Sequence, residues 1–255
     1  MNTARKNGSL FTKIEQKIAT VEFGHPASNS FPSELLERLT QEIHSLSQND
    51  EVVVIILQSE GKNAFCAGAS FDELLAISNS TQGIHFFSGF AQLINAIRVC
   101  SKLIIGRVHG KTVGGGVGLA AACDYVMATE KAAIKLSELS IGIGPFVIAP
   151  AVERKIGVAG LSELTMAATE WKSAYWAKEK GLYAKVFESD KELDAAVEVL
   201  SLNLASYNPE ALVELKKILW KGTEHWETLL LERATISGNL VLSDFTKKAL
   251  AKFKK

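Results

Sequence analysis

Residues 103–128 read LIIGRVHGKTVGGGVGLAAACDYVMA, and this stretch decides the fold class. Residues 103–108 and 125–128 are short, mainly apolar runs, which are typical of strands covered on both faces. Residues 114–123 between them are mostly glycine and alanine, which predicts a helix buried on all sides. A strand, a helix and a second strand in succession predict parallel strands joined by a crossover. The sequence therefore predicts an α/β fold.

Upstream of this stretch, the sequence predicts a hairpin, a helix and another buried strand. Apolar and polar residues alternate over residues 10–23, which predicts a two-stranded hairpin turning near Gln16-Lys17. Pro32 precedes a helix for which Ser33 is the predicted N-cap. Residues 52–57 form an unbroken aliphatic run, as in a strand covered on both faces. The helical spacing after Ser33 is carried by Leu35, Leu39, Ile43 and Leu46.

The last quarter of the chain is predicted to be helical. Strand signals stop near residue 194, Asn208-Pro209 is a cap followed by proline at the first helical position, and Ser243-Asp244 starts a last helix ending at residues 253–255. A helical tail of roughly sixty residues cannot form a large core of its own. We therefore predict an α/β core over residues 1–193 and a helical region over residues 194–255, packed on the core or on another subunit.

The composition excludes several classes of function. The chain has 255 residues, and its 28 Lys+Arg balance its 28 Asp+Glu, so no long-range field attracts nucleic acid or lipid headgroups. We predict neither as a partner. Three cysteines without zinc-site spacing predict no disulfide framework and no metal site. A polar N-terminus, and the lack of an apolar run long enough for a bilayer, predict a cytoplasmic protein.

Several well-known motifs are incomplete in this chain. Residues 106–112, GRVHGKT, resemble a phosphate-binding loop but place three residues between the glycines instead of four. No G-x-G-x-x-G follows a strand, and the sequence contains no G-x-S-x-G and no H-E-x-x-H. Dinucleotide-binding, serine hydrolase and zinc protease functions therefore lose support.

Two glycine-containing segments predict main-chain N–H groups that are free to bind a ligand. Residues 63–74, NAFCAGASFDEL, place small residues between a strand and a helix, so a ligand can approach the chain closely. Gly114-Gly115-Gly116 stands at the start of the buried helix, where unpaired N–H groups favour negative charge. Together the segments could form an oxyanion hole; the alternative is that the glycines serve turns and close packing.

Short motifs occur in a fixed order along the chain: Ala67-Gly68-Ala69-Ser70, His109-Gly110, Gly114-Gly115-Gly116, Cys123-Asp124, Leu136-Ser137-Glu138 and Gly142-Ile143-Gly144-Pro145. In this order and spacing they resemble the enoyl-CoA hydratase/isomerase, or crotonase, superfamily, and methylglutaconyl-CoA hydratase-type members most of all. The resemblance implies a spiral of ββα turns and a C-terminal helical region that builds trimers, often paired into hexamers. It also implies coenzyme A thioester substrates and no separate cofactor.

The resemblance also implies roles for individual residues. The peptide N–H groups of Ala67 and Gly115 would hold the thioester oxygen as it gains charge. Glu138 would be the catalytic acid/base, with a pKa raised by an apolar acyl pocket. The pantetheine would contact residues 67–70 and the adenine end would lie near Ala27. The predicted substrate-binding residues are Ala27, Ala67, Gly68, Ala69, Ser70, His85, Gly115 and Gly118.

Gly118 departs from the family pattern, because typical hydratases carry a second glutamate at this position. Two carboxylates together position the water that is added, whereas a 3-enoyl to 2-enoyl isomerase needs one base only. The chemistry therefore favours isomerisation, and the likeness to methylglutaconyl-CoA hydratases favours hydration. We place hydration first and expect another polar group or a water network to replace the missing carboxylate. A member of the family that binds acyl-CoA without catalysis is a third hypothesis.

Three further side chains have alternative interpretations. His85 lies among Phe86, Phe87 and Phe90, in a segment expected to cover the acyl pocket, where it would shape substrate choice or pack as part of a lid. Cys66 is expected to be structural because no histidine partner is evident. His109 is expected to be hydrogen-bonded at a strand end.

Overall fold

The computed structural model describes residues 7–252. Within that range the strands are β1 (Ser9–Glu15), β2 (Ile18–Gly24), β3 (Val54–Ser59), β4 (Ala64–Cys66), β5 (Leu103–Val108), β6 (Lys111–Val113), β7 (Tyr125–Thr129), β8 (Ile134–Lys135) and β9 (Lys185–Phe187). The helices are α1 (Ser33–Ser47), α2 (Phe71–Ala76), α3 (Ser80–Val99), α4 (Gly115–Ala122), α5 (Ala149–Met166), α6 (Ala174–Glu179), α7 (Asp190–Ser206), α8 (Pro209–Leu219), α9 (Trp226–Leu240) and α10 (Asp244–Ala251), with a 3₁₀ helix at Glu138–Ile141.

The large sheet has the strand order β1-β2-β3-β5-β7-β9. Strands β1 and β2 form the predicted antiparallel hairpin, in which Glu15 pairs with Ile18 and the two turn residues, Gln16 and Lys17, both have positive φ. A two-residue turn with positive φ at both positions matches the twist of the strands that it joins. The remaining neighbours in the sheet pair in parallel, which confirms the predicted α/β class.

A second, smaller sheet has the order β4-β6-β8 and is parallel. Each of its strands directly follows a strand of the large sheet and precedes a helix, so the chain repeats a ββα unit, as predicted. Parallel strands end at the same edge of their sheet. The segments that follow β4, β6 and β8 are therefore brought together, and they begin at Ala67, Gly114 and Leu136.

The start of α1 differs from the prediction. Pro32 occupies the N-cap position and makes no side-chain cap, whereas Ser33 is the first helical residue. The Ser33 N–H and hydroxyl both donate to the carboxylate of Glu73, forty residues away in the chain. Ser33 therefore does not cap the helix, because a carboxylate from α2 takes that place.

The helical region packs on the core. The predicted boundary between residues 193 and 194 falls inside α7, because a capping box formed by Ser189 and Glu192 starts this helix at Asp190. Leu193 and Val197 of α7 pack among apolar side chains of the large sheet, and α9 lies along α3. The predicted end of the last helix, at residues 253–255, lies outside the described residues. Among residues 7–252, no helix combines the length and apolar character needed to cross a membrane.

Asp124 ties the helical region to the sheets. Its carboxylate accepts hydrogen bonds from the Ile104 N–H at 2.7 Å, from the Trp220 indole at 2.7 Å and from the Lys216 ammonium at 2.6 Å. The Asp124 and Lys216 side chains are each only 4% exposed. One carboxylate therefore joins β5, the segment before β7, and α8.

Replacing Lys216 by methionine should lower the free energy of unfolding by about 3–5 kcal/mol, because it leaves the buried Asp124 carboxylate without its counterion. The control is Lys217→Met, since Lys217 pairs with Glu214 and both side chains are about two-thirds exposed, at 65% and 67%. That change should cost less than about 1 kcal/mol. Urea denaturation at pH 7 measures both, and equal effects would contradict the assigned role of Asp124.

Candidate active site

A cavity of about 480 Å³ opens at the edge where β4, β6 and β8 end. Its walls are mostly apolar and come from α3, from the loops after the three short strands, and from the segment between the 3₁₀ helix and α5. Ala67, Gly68, Ala69, Gly115 and Glu138 all line it. The structure therefore brings the centre of the predicted site together.

The N–H of Ala67 is not available to a ligand. It donates to the carbonyl of Ser28 at 3.1 Å. The prediction that this amide holds the thioester oxygen is therefore wrong, even though Ala67 lies at the cavity wall.

The N–H that is free at the cavity wall belongs to Ala69 and not to Ala67. Phe31 forms a parallel bridge with Ala69, in which the Phe31 N–H donates to Gly68 O at 2.7 Å and the Ser70 N–H donates to Phe31 O at 2.8 Å. In this bridge the peptide groups on either side of Ala69 bond to Phe31, so the Ala69 N–H points away from Phe31. Within the described part of the chain, Ala69 N–H has no hydrogen-bond acceptor.

The N–H of Gly115 is the second donor. It stands in the first turn of α4, where amides lack acceptors within the helix, and none is found for it among residues 7–252. Gly114 before it has φ 52° and ψ −121°, a conformation that requires glycine. Gly68 packs so closely on this turn that a Cβ there would lie 3.3 Å from Gly115 N. The loop that carries Ala69 and the first turn of α4 therefore lie side by side, and Ala69 and Gly115 both line the cavity.

Glu138 places its carboxyl group beside Gly114, at the start of α4. A Cβ at Gly114 would lie 2.8 Å from Glu138 Oε1, so glycine at position 114 leaves room for the carboxylate. Its other oxygen, Oε2, is buried and has no hydrogen-bond partner among the described residues. Burial raises the pKa of Glu138 from 4.5 to about 7. A carboxyl group with this pKa can both accept and donate a proton near neutral pH.

Gly118 faces an isoleucine instead of a polar group. A Cβ at Gly118 would lie 2.5 Å from Ile148 Cβ, so Ile148 fills the space that a side chain at position 118 would need. Ile148 is buried and also lines the cavity. Ile148 therefore leaves no room for a side chain at position 118, and the expectation that another polar group or a water network replaces the missing carboxylate stays a prediction.

Four residues predicted to bind substrate do not line this cavity: Ala27, Ser70, His85 and Gly118. Ser70 is the N-cap of α2 and accepts the N–H of Glu73. His85 lies on the exposed face of α3, whereas Phe87 and Phe90 of the same helix form part of the cavity wall. Ala27 is exposed in the turn before Ser28, so its contact with the adenine end of a substrate stays a prediction.

Cys66 and His109 take no part in the cavity. Burial raises the pKa of the Cys66 thiol to about 12, so it is a poor nucleophile. The His109 ring is buried, and neither ring nitrogen has a hydrogen-bond partner in the described range, which makes our expectation of a hydrogen bond wrong. Burial lowers the pKa of His109. The prediction that the protein needs no metal and no separate cofactor stays a prediction.

Comparison with known proteins decides the family. The family model described as enoyl-CoA hydratase/isomerase matches residues 13–253. The chain belongs to this family of enzymes. A peroxisomal Delta(3,5)-Delta(2,4)-dienoyl-CoA isomerase of Arabidopsis thaliana is 32% identical over 225 residues, covering 82% of this chain and 79% of that protein.

Two other matches qualify the predictions. A mitochondrial methylglutaconyl-CoA hydratase of Rattus norvegicus is 34% identical over 169 residues, covering 66% of this chain and 53% of that protein, so the likeness is partial. A solved structure of an enoyl-CoA hydratase from Bacillus halodurans superposes with a TM-score of 0.88 and covers 96% of this chain and 99% of that one. At 21% identity it shows the fold alone and confirms the predicted crotonase-like spiral.

The cost of burying Glu138 can be measured as a pH dependence of stability. Its pKa is about 7 in the folded state and 4.5 as an ordinary carboxyl, so the folded state binds the proton more tightly. The free energy of unfolding must then fall as pH rises from about 4.5 to about 7. Glu138→Gln removes this loss. Between pH 4.5 and pH 8, the free energy of unfolding of the variant should rise relative to that of the wild type by at most roughly 3 kcal/mol, at about 1.4 kcal/mol per pKa unit.

Urea denaturation at the two pH values measures this difference. The control is Glu232→Gln, a change on the exposed face of α9, which should alter stability little at either pH. A Glu138→Gln difference that does not grow with pH would contradict the raised pKa.

Proposed function

We propose that the protein moves the double bond of an unsaturated coenzyme A thioester, from a 3-enoyl to a 2-enoyl ester, with Glu138 as the only base. The observation that carries this proposal is Ile148, which occupies the space beside Gly118. A hydratase needs a second group there to hold the attacking water. An isomerase needs one carboxylate that takes a proton from C2 and returns it to C4.

The geometry supports each part of this reaction. The N–H groups of Ala69 and Gly115 would donate to the thioester oxygen, which stabilises the enolate that forms when C2 loses its proton. Glu138, with a pKa of about 7, would accept that proton and hold it as a neutral acid before delivering it to C4. The mostly apolar wall around Glu138 keeps water away from the held proton. The double bond moves, and no atom is gained or lost.

The relatives support both chemistries by name, since one is a dienoyl-CoA isomerase and another a methylglutaconyl-CoA hydratase. Hydration of a 2-enoyl thioester is therefore the second candidate, and the partial likeness to the hydratase favours it. A role in binding without catalysis is less well supported, because a buried carboxyl with a pKa of about 7 costs stability that mere binding does not require.

The partners and the compartment are also proposals. The acyl-CoA substrate is consistent with the family. Assembly into homotrimers or hexamers is supported by exposed apolar side chains on the helical region, such as Ile218 and Phe245, at 70% and 66% exposure. A reducing, cytoplasmic location is supported by three buried cysteines that form no disulfide.

Replacing Glu138 by glutamine should lower kcat for 3-hexenoyl-CoA by about 10²–10⁴-fold, because the base is lost while the cavity shape is kept. In the wild type, kcat/KM should fall below pH 7 as Glu138 becomes protonated. The enoyl absorbance follows the product. Crotonyl-CoA is the parallel substrate, and faster hydration of crotonyl-CoA than isomerisation of 3-hexenoyl-CoA would reject the proposal in favour of the second candidate.

The role of Ile148 can be tested by making room for the missing carboxylate. Gly118→Glu alone should destabilise the fold by about 1–3 kcal/mol through overpacking against Ile148. In the double variant Gly118→Glu/Ile148→Ala, the carboxylate has space, and hydration of crotonyl-CoA should rise above that of the wild type. The control Ile148→Ala makes space without a carboxylate and should hydrate crotonyl-CoA no faster than the wild type. Equal hydration by the two Ile148→Ala proteins would contradict the assigned role.

A further inference from the structure

A second segment of the chain runs alongside the loop that carries the Ala69 amide. We call residues 28–33 the splint. The Ala67 N–H donates to Ser28 O at 3.1 Å, the Phe31 N–H donates to Gly68 O at 2.7 Å, and the Ser70 N–H donates to Phe31 O at 2.8 Å. These three bonds use the side of the loop away from the cavity. They leave the Ala69 N–H on the cavity side.

Asn29 fixes the upstream end of the splint. Its side-chain amide donates to Glu60 O at 2.8 Å and to Ala64 O at 2.9 Å, and its oxygen accepts the His25 N–H at 3.0 Å. Asn29 is buried and has φ 56°, a left-handed conformation that asparagine tolerates better than most residues. The splint is therefore anchored to the segment that leads into β4.

Glu73 fixes the downstream end. Its carboxylate accepts the Ser33 N–H at 3.1 and 3.0 Å and the Ser33 hydroxyl at 2.6 Å, at the start of α1. A carboxylate is favoured at a helix N-terminus, and Pro32 supplies no side-chain cap there. The Glu73 N–H in turn donates to Ser70 Oγ at 3.4 Å. One residue thus joins the start of α1 to the end of the loop that carries Ala69.

We propose that Glu73 is a positioning residue that sets the direction of the Ala69 N–H toward the substrate carbonyl. This inference rests on the proposed function, in which that amide stabilises an enolate. Glu73 does not line the cavity, so it acts through the loop and not by touching substrate. Between its ends the splint bonds to the loop through main-chain groups, and Asn29 and Glu73 anchor the two ends of the splint. A displacement of about 1 Å in such a group can cost about 10²-fold in rate.

Acetoacetyl-CoA tests this without turnover, because the thioester ionises to an enolate whose ultraviolet absorbance rises when an oxyanion hole binds it. The full chain is titrated as wild type, Glu73→Gln, Glu73→Ala and Ser33→Ala. Wild-type protein should bind the enolate. The ratio of bound enolate to bound neutral thioester should fall by about tenfold or more in Glu73→Ala, in keeping with a misplaced donor. Glu73→Gln and Ser33→Ala should show smaller losses, because each keeps part of the contact.

Kinetics and a matched control separate positioning from stability. In Glu73→Ala, kcat for 3-hexenoyl-CoA should fall by about 10–10²-fold while KM stays within about threefold, because the donor acts mainly in the transition state. Glu192→Gln is the control, since the Glu192 carboxylate accepts the N–H groups of Glu188 and Ser189 on α7. It should lower the melting temperature without changing enolate binding. The double variant Ser33→Ala/Glu73→Gln should lose less than the sum of the single losses, because both act through one contact.

The outcomes distinguish this inference from the proposed function. Unchanged enolate binding and kcat in folded Glu73→Gln and Ser33→Ala would overturn the role of Glu73, and these two variants decide the matter if Glu73→Ala does not fold. Reduced enolate binding in the Glu73 variants, with no isomerisation of 3-enoyl thioesters by the wild type, would overturn the isomerase function and leave the positioning role standing. If the wild type binds no enolate, both are wrong.

Discussion

The carboxyl ends of three short parallel strands meet at one edge of the small sheet, and the site depends on that meeting. Strands β4, β6 and β8 have two or three residues each, so they contribute little stability alone. They are held in register because each follows a strand of the large sheet, whose pairing is extensive. The large sheet thus sets the relative positions of the three short strands, and the segments that follow these strands place Ala69, Gly115 and Glu138 at the cavity.

The apolar wall of the cavity determines the acid–base chemistry of Glu138. A carboxyl group in water would be ionised at neutral pH and a weak base. Burial without a hydrogen bond to Oε2 raises its pKa to about 7, and that placement also lowers the stability of the fold as the pH rises from about 4.5 to about 7. Ile148 belongs to the same wall, so the residue that takes the place of a second carboxylate also keeps the environment of the first one apolar.

The sequence was sufficient for features that depend on local pattern. Apolar runs located β3, β5 and β7, and the glycine-rich segment located the buried helix α4. A segment that is buried on all sides is apolar throughout, so each one can be recognised from its own residues alone. Resemblance to the family placed Glu138 in the site. Ile148 could not be found in this way, since its contact with Gly118 joins residues thirty positions apart. Glu73 shows the same limit, because its partner Ser33 lies forty residues upstream, and the acidic first turn of α2 was the only signal for it.

The error at Ala67 has a more general cause. In a regular strand, N–H groups two residues apart point to the same side. Gly68 has φ 86°, so the chain between Ala67 and Ala69 is not a regular strand, and the two N–H groups point to opposite sides. The neighbouring chain that bonds to one of them decides which one faces the ligand. Here that chain is the splint, through Phe31, and nothing within residues 67–70 encodes its position. Small side chains in the loop permit a close approach by substrate, but the direction of the donor is a property of the pairing between two segments. The geometry of an oxyanion hole built from main-chain amides is therefore carried by residues that never touch the substrate.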